Sequence, residues 1–233
     1  MGTRVVNLEF IVCGNTNGGS TGYSQIRKMI CEILNPLLGN GTLIYYNGVN
    51  SYMLTCVVSA MPTEKKVYGF NMASMKVEFT AYNPLWRSLS PHTVRKSITS
   101  GNYVAYESFD GCRTFGDIPA PFTFKMKASP YRGYVRLEDN RTSTSIIRNN
   151  FEFRTTRDTN ISYMELTTDY GNKNLWLATT GEKTLANRYI TTPDFFTIPN
   201  DAALTLRFGL ELASASASGD YAELTYYDWY VGV

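Results

Sequence analysis

Residues 33–63, ILNPLLGNGTLIYYNGVNSYMLTCVVSAMPT, contain no charged side chain. A membrane span is the first reading such a run invites. Asn35, Pro36, Gly39, Asn40, Gly41, Asn47, Gly48 and Asn50 interrupt it, and no window of about 20 residues is apolar enough to cross a bilayer. The run reads instead as strands and turns. Thr42–Tyr46 and Ser51–Ser59 are the strands, and Asn47-Gly48 between them is a hairpin signal. Natural sheets place Lys or Glu on free edges. A charge-free sheet region of this length therefore implies cover from another domain or subunit.

Working outward, Arg4–Cys13 alternates as a strand, and a Gly/Asn/Ser loop follows at 14–20. Ile26, Ile30, Ile33, Leu34 and Leu37 then recur at helical spacing. Ser20 or Thr21 is placed to cap that helix, and Pro36 ends it near Asn35. Lys76–Ala81 supplies a further strand. One helix with these strands makes a small α+β domain over residues 1–86. Pro84 and Pro91 bracket a linker read at 87–98. From 99 to 233 no helical periodicity remains. Strand candidates are Tyr103–Phe109, Phe122–Lys127, Tyr134–Glu138, Phe151–Thr155, Ser162–Thr167, Leu175–Thr179, Ala203–Leu212 and Glu223–Val231. Many short strands separated by turn clusters mean a β-sandwich. The fold class is mostly β, an α+β part followed by a sandwich. Ala213–Ser218, low in complexity, reads as a mobile hairpin tip.

Composition narrows the function classes. The 233 residues are 43% hydrophobic and 18% charged, with a net charge of +2, which excludes a disordered tail or a coiled coil. Neither half has the basic excess of a nucleic-acid binder. Cys13, Cys31, Cys56 and Cys112 are widely spaced, with no CxxC pair. They read as buried thiols rather than zinc ligands or disulfides. The start of the chain lacks the pattern of a secretory signal, and no membrane insertion is expected.

Catalytic chemistry finds little support. The glycine-rich loop lacks the GK[ST] of a phosphate-binding loop and the GxGxxG of a dinucleotide fold. The only histidine, His92, falls in the linker, a poor place for a rigid triad. Glu138, Asp139, Glu165, Asp169 and Asp194 read as solvated turn acids rather than a glycosidase pair. No cofactor and no metal is expected, and the chain reads as a non-enzyme. Trp176 lies between Leu175 and Leu177. If those leucines face the core, Trp176 points the other way, where it can meet a sugar ring or a partner protein. Trp229 reads as core.

A family resemblance emerges from the order of these pieces. Arg4–Phe10, the polar loop, the helix ending Leu34-Asn35-Pro36-Leu37-Leu38-Gly39, Gly41–Tyr46, Tyr52–Val58 and Val77–Trp86 with its closing Asn-Pro-Leu-Trp resemble siphophage tail components of the distal tail protein family. The second half is similar to that family's galectin-like sandwich, with a Gly/Asn turn after Asp169, a proline turn at Pro199-Asn200 and a closing aromatic strand. The family's N-terminal domain usually begins with further strands ahead of the one at Arg4. The resemblance implies a structural hub between tail tube and baseplate, in the virion tail, assembled in the host cytoplasm. It implies a homo-oligomeric ring, commonly a hexamer, closed by the N-terminal domain. It also implies sandwiches that hold other tail, baseplate or receptor-binding proteins. Combined with the charge-free stretch, it makes Val49 and Ser51 in the hairpin candidate ring contacts. A carbohydrate-binding module, with a host-surface glycan on Trp176, is the alternative.

Overall fold

Alternation of apolar and polar side chains sets the architecture, because a strand so patterned must cover one face. A computed structural model describes residues 2–14, 20–68, 72–142, 144–156, 160–179 and 182–233. The chain divides into two units, residues 1–89 with 231–233, and residues 90–230. The glycine-rich loop at 15–19 and the side chains of Ser20 and Thr21 lie outside the described residues.

The first unit holds β1 (Arg4–Cys13), α1 (Ser20–Ile33), β2 (Asn40–Tyr46), β3 (Ser51–Val67), β4 (Met72–Ala81) and β5 (Trp86–Ser88). β4 runs between β1 and β3, β2 pairs with β3, and all pairings are antiparallel. β3 is longer than the sequence reading to Ser59 and carries Pro62 within it. Its register against β4 slips between Ala60 and Thr63. Proline cannot donate to the ladder, so the strand passes it by a bulge. The helix ends close to the expected position near Asn35, but Leu37 does not belong to its face. It stops at Ile33, and a separate 3-10 turn, Pro36–Leu38, follows with the Asn35 side chain accepting from Leu37 N. Leu37 is therefore off the helix face, and is 91% exposed.

The second unit is a two-sheet sandwich. Its strands are β6 (His92–Ser97), β7 (Val104–Phe109), β8 (Phe122–Lys127), β9 (Pro130–Asp139), β10 (Ile146–Arg154), β11 (Tyr163–Asp169), β12 (Asn172–Ala178), β13 (Lys183–Leu185), β14 (Ile190–Pro193), β15 (Leu204–Leu212) and β16 (Tyr221–Tyr226). One sheet has the order β14-β10-β9-β15-β7, the other β13-β12-β11-β8-β16-β6. Phe124 of the second sheet meets Phe109 and Phe208 of the first at 6.3 and 5.3 Å between ring centres. These three, with Phe151, Phe153, Leu166 and Leu175, are fully or almost fully buried.

Two expectations are corrected here. Residues 87–98, read as a linker, are built into strands. His92–Ser97 pairs residue for residue with Tyr221–Tyr226, and Trp86–Ser88 pairs with β3. Pro91 stands just ahead of β6, where a missing N–H interrupts no ladder. Ala213–Ser218 is pinned rather than a free hairpin tip. Ser216 is buried, its hydroxyl donates to Thr99 O at 2.6 Å and accepts from Asn102 N at 3.1 Å. Small side chains let this segment pack closely, a role composition alone does not distinguish from mobility.

Because β6 is an edge strand of the sandwich, a fragment of residues 90–230 is expected to unfold cooperatively by circular dichroism. A fragment starting at 98 loses six residues of ladder beside β16, and should melt at a clearly lower temperature or fail to fold. Equal melting temperatures would remove β6 from the sandwich. Phe124→Ala should cost about 3–5 kcal/mol by denaturant titration, the range for a buried phenylalanine.

Candidate interaction surfaces

The polar groups of the sandwich are more organised than the sequence suggested. Asp228 is 5% exposed. Its Oδ1 accepts from the Thr114 hydroxyl at 3.0 Å and from Phe115 N at 2.7 Å, and its Oδ2 stands 2.8 Å from His92 Nε2. The imidazole stacks on Tyr226 at 4.9 Å. The hydroxyl is on the carboxylate, not on the imidazole, so the trio lacks the hydroxyl–imidazole–carboxylate order of a triad. It clamps the 113–116 loop to the strands at 92 and 226. His92 is thus a strand residue with a buried partner, not a linker residue.

The acids expected to be solvated are mostly engaged. Asp139 is buried, and the guanidinium of Arg148, 2.7 Å away, together with the N–H of Arg141, holds its carboxyl below the usual carboxylate range. Glu138 meets Arg207 at 3.1 Å and accepts from Ser145. Glu165 lies between Lys183 and Tyr163, and Asp194 accepts from Asn149 and from Asn150 N. Arg148, Arg207 and Lys183 reach Asp139, Glu138 and Glu165 from strands one or two away in the sheet, and no spacing along the chain signals those three. Among the described residues no cluster of His, Cys, Asp or Glu is arranged to hold a metal. All four cysteines are free, and only Cys56 and Cys112 are buried as expected, Cys13 being exposed and Cys31 half-buried. Burial pushes the Cys112 thiol up to about 11.

Trp176 occupies the outward side of β12, half-buried, between Glu165 and Leu185 on the neighbouring strands, while Leu175 and Leu177 are buried. The ammonium of Lys183 lies 5.1 Å from its ring centre, a cation–π contact. Trp229 is buried, as its strand position suggested.

The first unit presents a different surface. Met29, Ile33, Leu37, Leu38, Ile44 and Tyr46 are all exposed. A groove of about 370 Å³ runs between Val6, Leu8, Leu43, Tyr45, Trp86 and Val233. The hairpin turn is firmly built. Asn47 Oδ1 accepts from Val49 N and Asn50 N, and Gly48 takes φ +93. Val49 at its tip is 84% exposed, and Ser51 is half-buried opposite Tyr46. These exposed apolar side chains make the first unit the candidate interaction surface of the chain.

Comparison with known proteins bears on the fold. No protein-family model and no curated sequence matches the chain. Among solved structures, it is similar to the SPP1 Dit protein, described as a paradigm of hub adsorption apparatus in phages infecting Gram-positive hosts. The TM-score is 0.62 at 11% identity, over 98% of this chain and 79% of that one. It is also similar to a chain of the phage p2 baseplate in its activated, calcium-bound conformation. That TM-score is 0.56 at 13% identity, over 99% and 80% of the two chains. The chain therefore has the fold of these phage proteins over nearly its whole length.

The sign of the carboxylate shifts sets an acid limit. Asp139 and Asp201, the latter lowered by the N–H of Ala203 and by Arg141, both titrate below their unfolded values. Their contribution is complete above the ordinary carboxylate range, begins to fall as pH drops into it, and is lost as pH falls through the lowered folded values. Thermal stability of the sandwich should be level between about pH 5 and 7 and drop below about pH 4. Asp139→Asn should lower it at pH 7 and flatten the acid limb. An unchanged limb would remove Asp139 from the account.

Proposed function

We propose that this chain is a structural hub component of a phage tail, in the virion, which links the tail tube to the baseplate. The observation that carries the reading is the fold shared over 98% of the chain with a phage hub protein. The exposed apolar surface of the first unit supports a self-associating part. That unit forms a homo-oligomeric ring, a hexamer in line with the family resemblance, and the hairpin at Val49 and Ser51 lies in the contact. The sandwich carries balanced charge, fifteen basic and sixteen acidic residues from 88 onward, and holds other tail and baseplate proteins. Assembly takes place in the host cytoplasm. The role calls for binding surfaces and no chemical step. Saccharide binding by the sandwich is the second reading, favoured by its outward aromatic side chains.

Light scattering on the purified chain tests the hub reading. The expected mass is several times the 26.2 kDa of one chain, and a monomer at every concentration would sink the reading. Val49→Lys with Ser51→Lys should shift the protein toward monomer, since a charge buried without a partner costs several kcal/mol. An unchanged mass would place the contact elsewhere.

A further inference from the structure

We infer that the outer face of the β14-β10-β9-β15-β7 sheet, centred on Gly209, is a binding site for a neutral saccharide. The inference rests on the reading of the sandwich as the interaction module, and it names the ligand chemistry of one face.

The site follows from a missing side chain. Gly209 on β15 pairs with Tyr106 on β7 and with Tyr134 on β9. Both rings lean over the glycine. A Cβ built there would lie 2.5 Å from Tyr134 Cζ and 2.6 Å from Tyr106 Cε1. Any other residue would push the rings apart. Two phenol rings are thereby brought together across three adjacent strands, and Tyr106 is 62% exposed. The guanidinium of Arg136 lies 3.7 Å from the Tyr134 ring centre and is itself held by Asn150 and Glu152. That arrangement fixes the Tyr134 ring before any ligand arrives, so little side-chain entropy remains to be lost on binding.

A recess of about 350 Å³ opens beside the rings, bordered by Arg132, Glu152, Arg154 and Glu211. This is within the range of small-ligand clefts, about 300–1,000 Å³. Two guanidinium groups and two carboxylates border it, with Arg132 and Glu211 at 2.5 Å from each other. The balance offers no excess charge to an anionic or cationic ligand. It does offer fixed donors and acceptors side by side, which suits a polyhydroxylated molecule whose every hydroxyl both donates and accepts. The tyrosine rings suit the apolar C–H face of a pyranose. A peptide could add as an extra strand only at the outer edge of β7 or of β14, not over Gly209, because β9 and β15 are paired on both sides. Trp176 stands on the other sheet and does not border this recess.

The test is calorimetric titration of the full chain with neutral trisaccharides of hexose, N-acetylhexosamine and deoxyhexose type. A poly(glycerol phosphate) chain at the same salt concentration is the anionic comparison. We expect at least one neutral trisaccharide to bind. Tyr106→Ala with Tyr134→Ala should weaken it roughly tenfold or more, the scale of lost aromatic contacts. Gly209→Ala should weaken it by displacing the rings. Tyr106→Phe should retain most of the affinity, which separates loss of the ring from loss of the fold, and Trp176→Ala should leave binding unchanged. The light-scattering mass of the tyrosine variants should match that of the parent chain. Binding by a monomeric chain would sink the hub reading and keep this site, whereas a ring that binds no sugar would sink this site alone. The inference is overturned if no trisaccharide binds or if only the anionic polymer binds. It is equally overturned if binding survives the double alanine variant, or if only Trp176→Ala abolishes it.

Discussion

The contact of Phe124 with Phe109 and Phe208 across the sandwich shows the constraint on which this protein is built. A sheet with an apolar face must find something to cover it. In residues 90–230 each sheet covers the other, and the large aromatics between them are excluded from water. The unit needs nothing further. In the first unit a single sheet is accompanied by one helix of fourteen residues. Val12, Leu54, Met75 and Val77 are buried there, while Val5, Ile11, Ile33 and Ile44 remain exposed. One short helix does not cover both sides of five strands. The difference between the units is thus a difference in how much of the hydrophobic requirement each meets alone.

Much of this was legible in the sequence, and the parts that were not share a cause. Period-two alternation located Phe122–Lys127 to the residue, because inward Phe122, Phe124 and Met126 alternate with Thr123 and Lys125. The Asn47-Gly48 hairpin was readable because its turn chemistry is local. The absence of charge between 33 and 63 anticipated the exposed apolar surface. Failures arose wherever a distant residue decides. β6, HTVRKS, has only Val94 as a clear apolar residue, and its strand state comes from pairing with β16 more than a hundred residues away. Asp228 looked like one member of an alternating aromatic strand, yet it is the buried acceptor for a loop at 114–115. Gly209 gave no signal in the sequence, because its role lies in the rings of two other strands.

The buried polar groups explain why the sandwich adopts one arrangement rather than several. Apolar faces alone would tolerate small slips of one sheet on the other, since dispersion is not directional. A carboxylate such as Asp228 is satisfied only if Thr114, Phe115 and His92 all arrive, and leaving its partners bare carries a penalty of about 1–3 kcal/mol per group. Close backbone approach adds a second lock. A Cβ on Gly116 would collide with the Trp229 carbonyl oxygen, so the 114–117 loop fits only with a bare glycine there. These contacts contribute to uniqueness of fold more than to gross stability.

The outer faces of the two units then call for different partnerships. On the sandwich, opposite charges face each other across strands, as in Arg136 with Glu152, Arg207 with Glu138 and Lys183 with Glu165. Such a face is already compatible with water, and a partner must replace existing hydrogen bonds to bind it. Such a face rewards matching geometry rather than apolar area. On the first unit, exposed leucine, isoleucine and tyrosine gain from being covered, because apolar area removed from water is favourable wherever it is found. The chain thus exposes two surfaces of different character, one rich in uncovered apolar side chains and one in paired charges. Their separation onto two units lets each be built without compromising the other.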